Sequence, residues 1–263
     1  MTAVRSVRIR PRATAALLLA SLGGLIAFLW PLVVRPGAFL ETTSAPLVFA
    51  LLLPVMLAVV LAEMSEGGMD TKALAMLGVL SAIGAALRPL GAGTAGVETV
   101  FFLLVLAGRV FGPGFGFVLG ATTLFSSALL TGGVGPWLPF QMLGAAWFGL
   151  GAGLLPRARG RLELLLLAAY AAVASLVFGA LLDLSFWPFA LGTDTQLSFH
   201  AGAGILHNLH AFVLFTVTTS LGWDIGRAIT SVVLVLLTGP AVLAALRRAA
   251  RRAAFDAPTS FVR

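Results

Sequence analysis

The sequence predicts an all-α integral membrane protein, and three observations carry that prediction. Of 263 residues, 59% are hydrophobic and only 10% are charged, with a mean hydropathy of +1.04. A water-soluble domain carries about 25% charged residues, so this chain lacks the polar groups to cover itself in water. Its apolar residues come in runs near the roughly 20 needed to cross a bilayer. Most of its arginines gather at the ends of those runs, as Arg5, Arg8, Arg10 and Arg12, then Arg157, Arg159 and Arg161, then Arg247, Arg248, Arg251 and Arg252. Clusters that flank apolar runs read as positive-inside topology. Nucleic-acid binding would place the formal charge of +7 on a folded polar face instead. The chain has no cysteine, which excludes disulfides and thiol chemistry.

The predicted spans are 13–34, 46–62, 72–87, 97–111, 114–131, 138–155, 162–182 and 226–246. Turn residues punctuate them: Pro36-Gly37, Gly67-Gly68, Pro89, Gly112-Pro113-Gly114, Gly132-Gly133 and Pro156. The first run follows a charged segment, as a signal peptide does. It is too long for one and lacks a cleavage site at its end, so it is expected to stay as an uncleaved span. The expected organisation is a basic cytoplasmic N-terminus (1–12), an extra transmembrane hairpin (13–65), a membrane bundle (72–246) with an outer cap segment (183–225), and a basic cytoplasmic tail (247–263).

A ninth stretch, 205–221, is more polar and holds His207, Asn208 and His210. Charge parity decides its expected role. With the first arginine cluster inside and the spans alternating, the 157–161 cluster also falls inside. The last cluster does so only if 205–221 fails to cross. It is therefore expected to be an outer cap or a re-entrant piece, with both termini cytoplasmic in a multi-pass protein of the cell membrane.

The chain shows no G-x-x-x-x-G-K-[ST], no H-E-x-x-H, no G-x-S-x-G and no close carboxylate pair within a span. No catalytic residue, cofactor or resident metal is expected. A transporter of this kind draws its energy from another chain or from an ion gradient. Ion coupling asks for ionisable residues in mid-span, and Glu98, Arg109 and Asp183 fall near predicted ends.

In residues 72–88, KALAMLGVLSAIGAALR, Gly78, Ala82 and Ala86 recur every four residues. At helical spacing they form one smooth stripe, suited to close approach by another helix. That helix belongs either to the same bundle or to a partner.

The order of motifs carries a resemblance. SAIGAALR is followed by FFLLVLAGRVFGPGFGFVLGATT, then SSALLTGGVGPWLPFQM, then GLGAGLLP. This resembles the substrate-binding membrane subunit, or S component, of energy-coupling factor (ECF) vitamin transporters, of a cobalamin-type or unassigned substrate. It covers residues 72–155 well and 226–252 loosely. The resemblance implies a six-helix S-component-like bundle, here preceded by two extra N-terminal transmembrane helices. It also implies a vitamin bound on the outer side, and partners: a transmembrane coupling protein with two cytoplasmic ATPases. In the family an Ala-x-x-x-Ala stripe docks the coupling protein, which maps onto Ala82 and Ala86, with Gly78 one turn earlier.

Parity places GGVGPWLPFQM (132–142) outside. Its glycines permit close backbone approach, and Pro136 and Pro139 stiffen the entry to the next helix. Trp137 and Phe140 offer flat apolar faces and Gln141 offers an amide, a set suited to a ring-bearing ligand. An interfacial anchor is an equal reading for Trp137. The candidate substrate-binding residues are Trp137, Phe140, Gln141, Trp147, Asp183, Trp187, His207 and Asn208. The histidines, His200, His207 and His210, also admit a metal reading or a hydrogen-bonded polar face. Asp224 and Arg227, at i and i+3, are expected to pair locally.

The leading expectation is thus the substrate-specific subunit of an ECF-type ABC importer, with no enzyme activity of its own. A cobalt or nickel uptake subunit and a stand-alone secondary transporter are the alternatives. The metal-specific relatives carry a Met-His N-terminus where this chain reads Met-Thr-Ala.

Overall fold

The structure is a computed structural model that describes residues 11–33, 55, 71–91, 94–192 and 195–253. Eight α-helices and no strand occur among the described residues: α1 (Pro11–Val33), α2 (Thr71–Leu87), α3 (Phe101–Phe111), α4 (Pro113–Thr131), α5 (Leu138–Leu154), α6 (Gly160–Ala190), α7 (Ile205–Thr219) and α8 (Leu221–Ala253). Five of them, α1, α2, α4, α6 and α8, are long and apolar enough to cross a membrane, while α3, α5 and α7 are shorter apolar helices. The expected all-α membrane architecture is therefore present. Of the predicted span 46–62 only Val55 is among the described residues.

Glycine and proline set the helix ends as their chemistry dictates. Gly112, at φ 98°, closes α3, and Pro113 opens α4, where a missing N–H costs nothing. Gly132, at φ 66°, caps α4 in the left-handed region and returns its N–H to Ala128 O.

α3, α4 and α5 form the centre of the bundle. Their contact is made of backbone. A methyl built on Gly116 or on Gly108 would fall on Gly149 O, one on Gly149 would fall on Gly116 O, and one on Gly120 on Ala145 O. Helices in lipid associate through packing rather than hydrophobicity, so the absence of side chains here is what brings them close. Buried phenylalanines fill the space around the seam, including Phe101, Phe115, Phe117, Phe140 and Phe148.

α2 lays Ala73, Leu77, Leu80, Ser81 and Gly84 against α4. The Ser81 and Thr122 hydroxyls meet at 2.7 Å, and Gly84 makes room for Thr123. The opposite face of α2, with Leu74, Gly78, Val79, Ala82, Ile83 and Ala86, is exposed among the described residues.

α6 and α8 pack along each other. With 31 and 33 residues they are about 46 and 50 Å long, well beyond a hydrocarbon core of about 30 Å. Both run past the boundaries the sequence suggests, 182 and 226. The sequence reading ends each span at a charge. The helices continue because Asp183, Asp224 and Arg227 find polar company across the helix pair.

α1 lies along α5 and the far end of α6. Phe28 packs edge-on against Phe140 at 4.9 Å and against Trp147 at 5.7 Å, and Gly24 admits Leu143. α7 folds back onto the last turns of α6. Leu184 and Trp187 bury Ala211 and Phe215 in a small apolar core of their own, joined by Leu32 of α1. Trp30 of α1 closes it at the side, with ring centroids 6.0 Å from Phe189 and 5.9 Å from Phe199. We term this unit, α7 on the last turns of α6, the cap. At 15 residues, α7 is about 22 Å long, shorter than the hydrocarbon core.

Candidate functional site

All the acidic side chains of the described residues, Glu98, Glu163, Asp183 and Asp224, fall in two groups. On α6, Glu163 and Asp183 lie 20 positions apart; on α8, Arg227 and Arg247 lie 20 positions apart. That is about 30 Å along each helix, the thickness of the hydrocarbon core. No Asp, Glu, Lys or Arg occurs in 164–182 or 228–246. The two groups therefore bracket an uncharged slab.

The group at the end away from the cap is a clasp. Glu163 Oε1 accepts from Arg109 Nε at 2.8 Å and from Arg247 Nη2 at 2.6 Å. Arg109 Nη1 also donates to Leu155 O and Pro156 O, at 2.9 and 3.0 Å. It thereby satisfies carbonyls that the C-terminus of α5 leaves open. The arginines Arg157, Arg159 and Arg161, and those after Arg247, lie at this same end.

The group at the cap end is built round Arg227. Its Nε and Nη2 meet Glu98 Oε1 at 3.0 and 2.9 Å. Its Nη1 donates to Asp224 Oδ1 at 2.6 Å and to Ser175 O at 3.2 Å. The guanidinium carbon sits 5.0 Å from the centroid of Phe178 and 5.7 Å from that of Phe101, within range of a cation–π attraction. The Asp224–Arg227 pairing read from their spacing is present. Gly179 makes the cluster possible: the Asp224 carboxylate rests where a side chain at 179 would stand.

Asp183 stands beside Thr216 and Ser220, within electrostatic reach of Asp224 and Arg227. The Thr216 and Ser220 hydroxyls lie within hydrogen-bonding reach of its carboxylate, and Ser175 Oγ is buried without a hydrogen-bond partner. At the rim, Arg88 Nη2 donates to Gln141 Oε1 at 2.9 Å.

The candidates named from sequence are spread through the bundle rather than gathered. Trp137 is 53% exposed and donates its indole N–H to Gly133 O at 3.3 Å. Its ring lies over Gly135, which explains that glycine: any side chain there would displace the ring. Gln141 is engaged by Arg88. Phe140 and Trp147 turn toward α1, and Trp147 Nε1 donates to Ser21 Oγ at 3.0 Å. Trp187 is buried at the heart of the cap, its indole N–H given to Leu197 O at 2.6 Å. Asn208 is buried and fastens His200 by two bonds, Oδ1 from His200 N at 3.2 Å and Nδ2 to His200 O at 2.9 Å. His207 is exposed, its ring 5.5 Å from that of His200. Among the described residues no three His, Cys, Asp or Glu come together as a metal site. Gly78, Ala82 and Ala86 share the face of α2 that is exposed among the described residues.

Sequence reasoning did not single out Glu98, Arg88 and Ser175 as one site with Arg227. The available signal was rarity: a charge in so apolar a chain needs a partner, and few partners exist.

Among the described residues, charge is confined to the two ends of a helical membrane bundle, with a polar cluster beneath α7 at one of them. The family model for the ECF transporter substrate-specific component matches residues 72–238, which is more than half of the chain and takes in α2 to α7 and most of α8. The chain belongs to that family: it is a substrate-specific membrane subunit of the ECF transporters, a transport component rather than a catalyst. α1 lies before the matched region. No curated protein and no solved structure matches the chain.

Proposed function

We propose that this subunit captures a vitamin or vitamin-like molecule at the cap end, which faces the outside, and delivers it through a partner assembly. That assembly is a coupling membrane protein with two cytoplasmic ATPases, docked on the Gly78–Ala82–Ala86 face of α2. Orientation rests on the arginines: the α5–α6 connection and the C-terminus of α8 bring two basic clusters to one end, which the positive-inside rule puts in the cytoplasm. The observation that carries the reading is the bare face of α2. It is smooth, apolar and without a described neighbour at Gly78, in a family whose members work with a coupling membrane protein.

The test is co-purification. The wild-type chain, expressed with its coupling protein and ATPases, comes off a sizing column as one complex and retains an organic ligand detectable by mass spectrometry. Ala82→Arg loses the complex and keeps the ligand. Loss of both would make α2 an internal seam. Uptake by the isolated chain in liposomes would replace the reading with a secondary transporter.

A further inference from the structure

The positive charge of the chain is concentrated at the clasp end. Six acids and six arginines fall outside the described side chains and cancel in number, so the formal charge of +7 belongs to the described ones. At the cap end Glu98, Asp183 and Asp224 outnumber Arg88 and Arg227. The excess therefore lies at the clasp end, where Glu163 is the one acid among the described residues. Arg109 and Arg247 already engage it. Arg157, Arg159, Arg161, Arg248, Arg251 and Arg252 are exposed, and none of them pairs with a described acid.

The clasp turns these six into one surface. Arg109 holds the carbonyls of Leu155 and Pro156 and the carboxylate of Glu163, and Glu163 holds Arg247. The α5–α6 connection, the first turn of α6 and the last turns of α8 are thus fastened at one point. Every cation of the six is an arginine, whose planar fork matches the oxygens of a phosphate.

Depth tells what lies opposite them. The uncharged slab ends at Leu164 on α6 and Leu246 on α8. Arg161 stands about 4.5 Å beyond it, and Arg248 to Arg252 about 3–9 Å beyond it. The headgroup layer of one leaflet is about 5–8 Å thick, so the guanidinium groups lie at the level of lipid phosphates. Apolar side chains flank them on the slab side: Leu154, Leu162 and Leu165 are 65%, 67% and 60% exposed. Arg161 and Leu165, four apart on α6, share a face. A cation above an open leucine face suits a molecule with an anionic head and an apolar tail.

We infer that the clasp end binds anionic phospholipid, the arginines taking the headgroup phosphates and the exposed leucines the first part of the acyl chains. This goes beyond the receptor reading and needs only that the bundle lies in a bilayer.

Native mass spectrometry and thermal unfolding of the full chain in detergent test it, with phosphatidylglycerol, phosphatidylcholine and inorganic phosphate as probes. Phosphatidylglycerol stays bound and raises the melting temperature, and added salt weakens both effects. Phosphatidylcholine and inorganic phosphate do neither. The triple variant Arg157→Gln, Arg159→Gln, Arg161→Gln melts like the wild type in phosphatidylcholine and retains at least about tenfold less phosphatidylglycerol. The triple variant Arg248→Gln, Arg251→Gln, Arg252→Gln does the same from the other element, and reads the outcome should the first fail to fold. Equal retention of the two lipids overturns the inference, as does unaltered phosphatidylglycerol binding in the variants. Stabilisation by inorganic phosphate alone makes the surface a site for the free anion and overturns the lipid assignment. Loss of assembly with the coupling protein and ATPases, with lipid retention unchanged, gives the surface to an acidic face of a partner protein instead.

Discussion

Asp224 lies against Gly179, on a helix face with no side chain to hold it off, and from there reaches Arg227 at 2.6 Å. One missing methyl on α6 thus lets two charges on α8 stay inside the bundle. Gly179→Leu pushes the carboxylate away from the guanidinium and overpacks the seam. An overpacked core costs about 1–3 kcal/mol, and a displaced ion pair adds to it. The apparent melting temperature in detergent should fall clearly. An unchanged value would show that Asp224 has another resting place.

The clasp at the other end has a ranked prediction. Glu163 and Arg109 have side chains only 5% and 9% exposed, while Arg247 is 37% exposed. Removing one partner of a buried pair costs about 3–5 kcal/mol, and an exposed partner is worth about 0–1 kcal/mol. Glu163→Ala should therefore destabilise far more than Arg247→Ala. Equal losses in thermal unfolding would mean that the cluster acts as one surface network.

Trp187 separates packing from binding. Trp187→Phe keeps most of the ring and removes the bond to Leu197 O, leaving a partly buried acceptor, at a cost of about 1 kcal/mol. Hydrogen exchange should quicken in 195–204 and hold steady in α3 to α5. Unaltered exchange in the cap would assign this tryptophan to something other than holding it shut.

Two glycine substitutions should behave oppositely. Gly149→Val drives a branched side chain into Gly116 O and should leave no monodisperse protein after purification. Gly78→Val meets nothing within 4 Å among the described residues and should express normally. It should nevertheless impair assembly with the coupling protein.

The lipid-embedded, all-helical character was legible because it depends only on composition and run length, and Gly112-Pro113 and Gly132 marked real helix ends. The line of small residues Gly78, Ala82 and Ala86 was legible as one helix face, since a spacing of four fixes a face. The helix ends at 182 and 226 were misplaced for one reason. A charge ends a span only when nothing neutralises it, and Arg227 finds Glu98 across 129 positions of sequence, a distance no local pattern reports. The aromatic candidates show the same gap. Spacing told where Trp187, Phe140 and Trp147 fall in the chain, but their directions came from α7 and α1, which pack against them. Gln141 read as a spare amide because Arg88 lies 53 positions away.

The seam of α3, α4 and α5 has a mechanical consequence. Side chains accommodate motion by changing rotamer, and carbonyls pressed against glycine Cα atoms have no rotamers to change. These three helices can slide or tilt only as one rigid casting. Whatever flexing accompanies the loading and unloading of cargo is left to the parts bolted onto it: the long α6–α8 pair, the small core beneath α7, and the N-terminal helix that props it from the side.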